Sequence, residues 1–148
     1  MILFLDFDGV LHPSPNKMST EFSALPFFEV WLRKHEQVNV VISSSWREVM
    51  DIDVLKAIFS QDLQDRIIDK CPTLPFDKVE NEVHWRYKEI MEWIAINRYE
   101  GPWVALDDAV DAFPEDHPHL VACKQAIGLT PLVIERLTSK VFEHGHLS

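Results

Sequence analysis

Three short apolar runs of this chain each end abruptly in polar side chains. The runs cover Ile2 to Leu5, Val38 to Ile42 and Trp103 to Leu106. Apolar residues fill nearly every position of these runs rather than every second one, a pattern typical of strands that are buried on both faces. The sequence therefore predicts a central sheet that helices cover on both sides.

Helical patterns separate these runs. We predict helices over about residues 26–35, 47–59 and 82–98, and a last helix with Thr130 as its N-cap and Pro131 in its first position. Weaker signals at Ile67-Ile68 and at 120–122 indicate two further strands. Strands that alternate with helices predict a single Rossmann-like three-layer α/β domain over residues 1–148, with a mostly parallel central sheet.

Composition excludes several other classes of protein. Of the 148 residues, 47% are hydrophobic and 26% are charged, so the chain can build a core and is not disordered. The N-terminal apolar run stops at Asp6, too early for a membrane span or a secretion signal, and we therefore expect a cytoplasmic protein. Cys71 and Cys123 are far apart and lack CxxC partners, which argues against a disulfide framework or a zinc site.

The net charge of −10 bears on the ligand. Phosphate backbones attract basic surfaces, so this acidic chain shows no sign of an extended nucleic-acid surface. A single phosphorylated end bound through a metal ion remains compatible with such a charge.

Acidic and hydroxyl side chains follow the predicted strands. Asp6 and Asp8 follow the first strand, three serines at 43–45 follow the second, and Asp107 and Asp108 close the third. The carboxyl ends of parallel strands form one edge of a sheet, where ligands bind. A lone aspartate at such a place is usually a turn or cap residue. A turn or cap does not explain why aspartates follow two separate buried strands.

Carboxylates gathered at one edge repel each other and need a cation, and oxygen ligands suit Mg²⁺ with a substrate phosphate. In that arrangement Asp6 attacks phosphorus and forms an aspartyl-phosphate, while Asp8 protonates the leaving group. A serine hydroxyl and a nearby Lys or Arg hold the phosphate oxygens.

The run Asp6-Phe7-Asp8-Gly9-Val10-Leu11 resembles the first motif of the haloacid dehalogenase (HAD) superfamily of phosphohydrolases. The later motifs occur in the family's order, and the resemblance spans nearly the whole chain. More narrowly, the chain resembles the small capless HAD domain of bacterial RNA-repair proteins. The stretches that carry this likeness are Asp-Gly-Val-Leu-His-Pro (8–13), Ser-Ser-Trp-Arg (44–47), Arg-Tyr-Lys-Glu-Ile (86–90), Leu-Asp-Asp-Ala-Val-Asp (106–111) and Gly-Leu-Thr (128–130).

The resemblance implies roles for the acidic residues. Asp6 is expected to be the nucleophile and a metal ligand. Asp8 is expected to be the general acid and base, and to bind Mg²⁺ through its backbone carbonyl. Asp108 matches the metal-binding acid of the last motif, with Asp107 beside it. Asp111 is expected to order the loop or the waters of the metal.

Two motifs leave alternatives open. The phosphate-binding hydroxyl is Ser44, which fits the Ser-Trp-Arg pattern better, or Ser43. The basic residue that binds phosphate is Lys88 or Arg86.

Three further residues border the predicted site. His12 either touches substrate or fixes its loop through hydrogen bonds. Arg47 either clamps a second phosphate or sugar or is a solvated charge. Trp46 either packs or lines the pocket, whereas the other tryptophans are expected in the core.

HAD enzymes usually select substrates with an inserted cap domain. Here the stretches from Asp6 to Ser44 and from Ser44 to Arg86 are already filled by ordinary helices, strands and loops. We therefore expect no large cap and an open site, with the loop from about Leu11 to Phe22 as its flap.

The leading hypothesis is a Mg²⁺-dependent phosphomonoester hydrolase that acts on a small phosphorylated molecule or a nucleic-acid end. The alternative is a non-catalytic HAD-fold module that binds a phosphorylated ligand or partner; the presence of both Asp6 and Asp8 disfavours it. A dehalogenase or phosphonatase is weaker still, because those enzymes depend on cap residues.

Overall fold

The structure is a computed structural model that describes residues 1–75 and 84–146. It contains a five-stranded sheet with the order β3-β2-β1-β4-β5, in which all neighbouring strands are parallel. This confirms the predicted Rossmann-like α/β fold with a parallel sheet. The strands are β1 (Ile2–Leu5), β2 (Asn39–Ile42), β3 (Ile67–Lys70), β4 (Trp103–Asp107) and β5 (Leu120–Ala122).

Within residues 1–75 and 84–146, four α-helices connect or follow these strands. They are α1 (Leu25–Lys34), α2 (Ile52–Ala57), α3 (Trp85–Ile96) and α4 (Pro131–His146). Short 3₁₀ segments occur at Ser45–Glu48, Gln61–Arg66 and Val110–Ala112.

The predicted helix over 47–59 is wrong in its extent. A 3₁₀ turn occupies Ser45–Glu48, and the α-helix begins only at Ile52, after Asp51 in an extended conformation. The buried Arg47 side chain donates back to the carbonyls of Ser43 and Ser44, which holds this stretch in a tight turn. Apolar spacing carries no information about such a contact.

The predicted helix over 82–98 is only partly within the described residues, because 82 and 83 lie outside them. The observed α3 ends at Ile96. Arg98 has φ +49°, a left-handed conformation that cannot continue an α-helix.

The central strand β1 divides the core in two. Leu3 and Leu5 pack with side chains of α1, α2 and α4 on one face of the sheet. Ile2 and Phe4 pack with Ile90 and Trp93 of α3 on the other. These two clusters make the three layers, and they explain why β1 is apolar at every position.

No described residues form a separate cap over the carboxyl edge of the sheet. The loop that follows β1 is tied down near its start. The Ser14 amide donates to the Gln125 carbonyl at 2.8 Å, and the Leu129 amide donates to the Val10 carbonyl at 2.8 Å. In the part of the chain that the structure describes, no helix combines the length and apolarity needed to cross a bilayer.

The amino edge of the sheet carries a histidine stack, made of His117, His119 and His144 with Trp103. The His119 ring lies 4.3 Å from the Trp103 ring and 4.0 Å from the His144 ring, with both pairs nearly parallel. Each imidazole also has a backbone partner: the amide of His119, the carbonyl of Trp103 and the carbonyl of Pro118, respectively. Burial lowers the pKa of His117 and His119.

Candidate active site

A tight turn after β1 places the first two acidic residues. The Asp6 amide donates to the Leu106 carbonyl at 3.1 Å, which continues the pairing of β1 with β4. Gly9 then has φ +76°, and a Cβ there would collide with the carboxylate of Asp108. Glycine is therefore required at this position both for its conformation and for the close approach of Asp108.

Three carboxyl groups converge beside this turn. Carboxylate oxygens of Asp6, Asp107 and Asp108 lie within 4.8 Å of one another. Asp6 is 4% exposed and Asp107 is 1% exposed. We call these three residues the acidic cluster.

Without a bound cation, the burial and mutual repulsion of these carboxylates destabilise the folded protein. Burial, followed by the negative charge of Asp107, raises the pKa of Asp6 well above its ordinary value, and Arg86 opposes the rise. Burial also raises the pKa of Asp107. The Ala109 amide donates to Asp107 Oδ1 at 2.9 Å, whereas Asp107 Oδ2 accepts no hydrogen bond from any described residue. A divalent cation would offset the charge and use the free oxygens, so the donor set fits Mg²⁺.

Arg86 is the basic residue that the fold brings to the acidic cluster. It is 4% exposed, and its Nε lies 3.5 Å from Asp107 Oδ2. Its Nε and Nη1 donate no hydrogen bond to any described residue. Lys88, the alternative from the sequence, lies on the exposed side of α3.

The two candidate serines differ in how their hydroxyls are used. Ser44 Oγ accepts a hydrogen bond from the Trp46 amide at 3.3 Å and caps the 3₁₀ turn. Ser43 Oγ is buried and has no hydrogen-bond partner among the described residues. The sequence motif favours Ser44, whereas the free hydroxyl belongs to Ser43.

Arg47 is neither solvated nor positioned as an open clamp. It is 2% exposed, and its guanidinium donates to the carbonyls of Ser43, Ser44, Cys71 and Pro72. It also forms a buried salt bridge with Glu89. The interpretation of Arg47 as a solvated charge is therefore wrong, and these contacts show it joining the segments after β2 and β3.

Sequence reasoning missed Glu89. Its Oε1 lies 3.8 Å from Arg86 Nη1, while its other oxygen bonds Arg47. The only available signal is that Glu89 follows Arg86 by three positions on a helix, which places both on one face.

Asp8 stands apart from the acidic cluster. Its carboxylate accepts from His12 Nε2 at 2.7 Å and from Trp46 Nε1 at 3.1 Å. Its predicted metal contact through the backbone carbonyl stays a prediction. Asp111 lies in the 3₁₀ segment Val110–Ala112 with an exposed side chain, and its predicted role in ordering the loop also stays a prediction.

The family model of the HAD domain in Swiss Army Knife RNA repair proteins matches residues 2–132. The chain therefore belongs to this HAD family, as its motifs predict. Membership favours phosphohydrolase chemistry, and HAD proteins typically use Mg²⁺. No curated protein and no solved structure gives a significant match.

Proposed function

We propose that this protein is a Mg²⁺-dependent phosphomonoester hydrolase that works through an aspartyl-phosphate on Asp6. The observation that carries the proposal is the pairing of the acidic cluster with Arg86, whose buried donors have no hydrogen-bond partner among the described residues. Its Nε and Nη1 face carboxylate oxygens of Asp107 and Glu89 at 3.5 and 3.8 Å, too far for good hydrogen bonds, and a bound phosphate would give these buried donors closer partners. Family membership supports the same chemistry.

The reaction has two steps. In the first, an oxygen of Asp6 forms a bond to phosphorus, the ester P–O bond breaks, and the carboxylic acid of Asp8 gives its proton to the leaving oxygen. In the second, the Asp8 carboxylate takes a proton from a water molecule whose oxygen bonds to phosphorus. The bond between Asp6 and phosphorus then breaks, and inorganic phosphate leaves.

Bound Mg²⁺ would offset the charge of the carboxylates and of the phosphate oxygens. Asp6, Asp107 and Asp108 are the side chains that would hold it. Arg86, which lies on α3 beside Asp107, would donate its Nε and Nη1 hydrogens to phosphate oxygens. We assign the hydroxyl contact to Ser43, whose buried Oγ has no hydrogen-bond partner among the described residues.

We further propose that the phosphate belongs to a nucleotide or a polynucleotide end. The described residues place no cap over the site, so a phosphate that projects from a large molecule has access. The family description names RNA repair proteins. With a net charge of −10, contacts limited to the terminal nucleotides fit better than a long nucleic-acid surface.

The test is phosphate release from an aryl phosphate, nucleotides and end-phosphorylated oligonucleotides, with Mg²⁺ or with chelator. Wild type is compared with Asp6→Asn and with Asp62→Asn, a control on the exposed surface. We expect release that requires Mg²⁺, disappears in Asp6→Asn and persists in Asp62→Asn. Binding of Mg²⁺ and of phosphorylated ligands without any release would instead support the non-catalytic binding module.

A further inference from the structure

The carboxylate of Asp8 is held at both of its oxygens. His12 Nε2 lies 2.7 Å from Oδ1, and Trp46 Nε1 donates to Oδ2 at 3.1 Å. The Asp8 side chain is 36% exposed, whereas the side chain of its partner His12 is fully buried. An exposed aspartate that serves only a turn does not need two side-chain donors.

The surroundings of His12 determine where its proton lies. The Phe22 amide donates to Nδ1 at 3.1 Å, so the neutral ring carries its hydrogen on Nε2, facing Asp8. The ring is fully buried, and its centroid lies 5.0 Å from the Phe22 ring and 5.7 Å from the Trp46 ring. His12 is thus fixed in both orientation and tautomer.

Trp46 reaches Asp8 from another part of the chain. It lies in the 3₁₀ turn after β2, which the Ser44 hydroxyl caps. Its ring packs edge-on against Phe7 and Phe22, with centroids 5.6 and 5.1 Å away. Two separate segments therefore converge on one carboxyl group.

We propose that His12 and Trp46 are positioning residues that hold the Asp8 carboxyl group for both proton transfers. This inference rests on the proposed function. When the ester bond breaks, Asp8 gives its proton to the leaving oxygen. When water attacks the aspartyl-phosphate, Asp8 takes a proton from that water. Each transfer requires the carboxyl group at one place relative to phosphorus, and the two donors fix that place. The same bonds make His12 a support of Asp8 rather than a ligand of the substrate.

The experiment compares two esters with different leaving groups. A nitrophenolate leaves without a proton, whereas the alkoxide of a sugar phosphate needs one. Because kcat/KM reports the first step, we expect Trp46→Phe to lower it about 10- to 100-fold for the sugar phosphate and less than about threefold for nitrophenyl phosphate. The second step, hydrolysis of the aspartyl-phosphate, needs Asp8 as a base whichever ester supplied the phosphate. In Trp46→Phe we therefore expect kcat and KM for nitrophenyl phosphate to fall together, which leaves their ratio little changed.

The matched control is Trp93→Phe. The Trp93 indole also donates to a carboxylate, Asp69 Oδ2 at 2.8 Å, but it packs between α3 and the sheet. Asp8→Asn serves as the reference for complete loss of the acid and base. His12→Gln is the second test variant and is expected to show the same selective loss on the sugar phosphate.

The outcomes separate the inference from the function on which it rests. A wild type that hydrolyses neither ester overturns the proposed function and the inference with it. If wild type is active and Asp8→Asn is impaired, a loss in Trp46→Phe no larger than in Trp93→Phe overturns the positioning role alone. Equal losses of kcat/KM on both esters also overturn it, because they indicate a general structural defect. A selective loss on the sugar phosphate supports it.

Discussion

The two edges of the sheet gather similar numbers of titratable side chains and treat them in opposite ways. At the amino edge, each ring of the histidine stack has a backbone partner and a neighbouring ring. At the carboxyl edge, buried atoms of Ser43, Arg86 and Asp107 have no hydrogen-bond partner among the described residues. Both edges therefore concentrate polar groups. Among the described residues, the imidazoles at the amino edge have partners within the protein, whereas some buried polar atoms at the carboxyl edge have none.

This difference indicates that the histidine stack serves the stability of the fold and the acidic cluster serves ligand binding. A satisfied buried cluster contributes to folding, whereas an unsatisfied one costs free energy until a ligand arrives. The acidic cluster is therefore expected to respond to ligands and the histidine stack is not. Four predictions test this contrast, from the largest expected effect to the smallest.

Removing the charge of Asp6 should have opposite effects on activity and on stability. We expect Asp6→Asn to lower phosphate release at least about 10³-fold, because the amide cannot act as the nucleophile. The same variant should raise the free energy of unfolding of the metal-free protein by about 1 kcal/mol, since a buried charge is removed. Enzyme assays and urea unfolding in chelator measure the two effects. A destabilised variant would mean that the cluster is satisfied.

Arg86 and Lys88 should differ sharply. Arg86→Met removes the cation beside Asp107, and we expect it to lower the free energy of unfolding of the metal-free protein by about 3 kcal/mol. Lys88→Met changes an exposed side chain, and we expect a change within about 0.5 kcal/mol. Chemical unfolding of both variants decides the matter. Equal effects would contradict the assignment of Arg86 as the partner of the cluster.

The pH dependence of stability should have opposite signs at the two edges. Because the folded-state pKa of Asp6 is raised, its contribution is full below the ordinary carboxyl range near pH 4 and is lost as pH rises through the raised pKa. For His117 and His119 the folded-state pKa is lowered, so their contribution is lost as pH falls below about 6.5.

Urea unfolding of the metal-free protein across pH 4 to 8 measures both contributions. Asp6→Asn should reduce the loss at high pH, leaving the part that Asp107 contributes, and should not change the loss at low pH. Mg²⁺ at about 100 times its Kd should add about 2.7 kcal/mol to the wild type. At a fixed Mg²⁺ concentration the gain should rise with pH, because the carboxylates become ionised. If Mg²⁺ has no effect on unfolding, the cluster is not a metal site.

The smallest effect is expected at the amino edge. His119→Phe keeps a stacking ring but loses the hydrogen bond to the Trp103 carbonyl, and should cost about 1 kcal/mol. Phosphate release should not change, because the stack lies at the opposite edge from Asp6. A large loss of activity in a folded variant would show that the two edges are coupled.

The fold could be predicted well from the sequence, and the reason is the burial of its strands. Ile2–Leu5 and the run from Trp103 to Leu106 are apolar on both faces because helices cover both sides of the sheet, and such runs are easy to recognise. The acidic cluster could also be predicted, because parallel strands bring their carboxyl ends, and the aspartates that stand there, to one edge of the sheet.

Individual side-chain contacts around the turn after β2 could not be predicted. The use of the Ser44 hydroxyl as a cap, the buried contacts of Arg47 and the bond from Trp46 to Asp8 depend on a turn that interrupts an expected helix. The spacing of apolar residues is the same for one continuous helix as for a 3₁₀ turn followed by a short helix, so it could not distinguish the two. The choice between Arg86 and Lys88 depended on which face of α3 turns inward.

The central place of β1 has a consequence for how the chain acquires its structure during synthesis. The strand β1, directly before Asp6, is made before β2 to β5, and its partner Trp103–Asp107 leaves the ribosome about 100 residues later. Until then one edge of β1 is exposed, and such strand edges promote aggregation. The distant pairing also carries a loop-closure cost that slows folding. A nascent chain released before residue 107 would therefore lack two of the three carboxylates and expose the strand meant for the centre of the sheet.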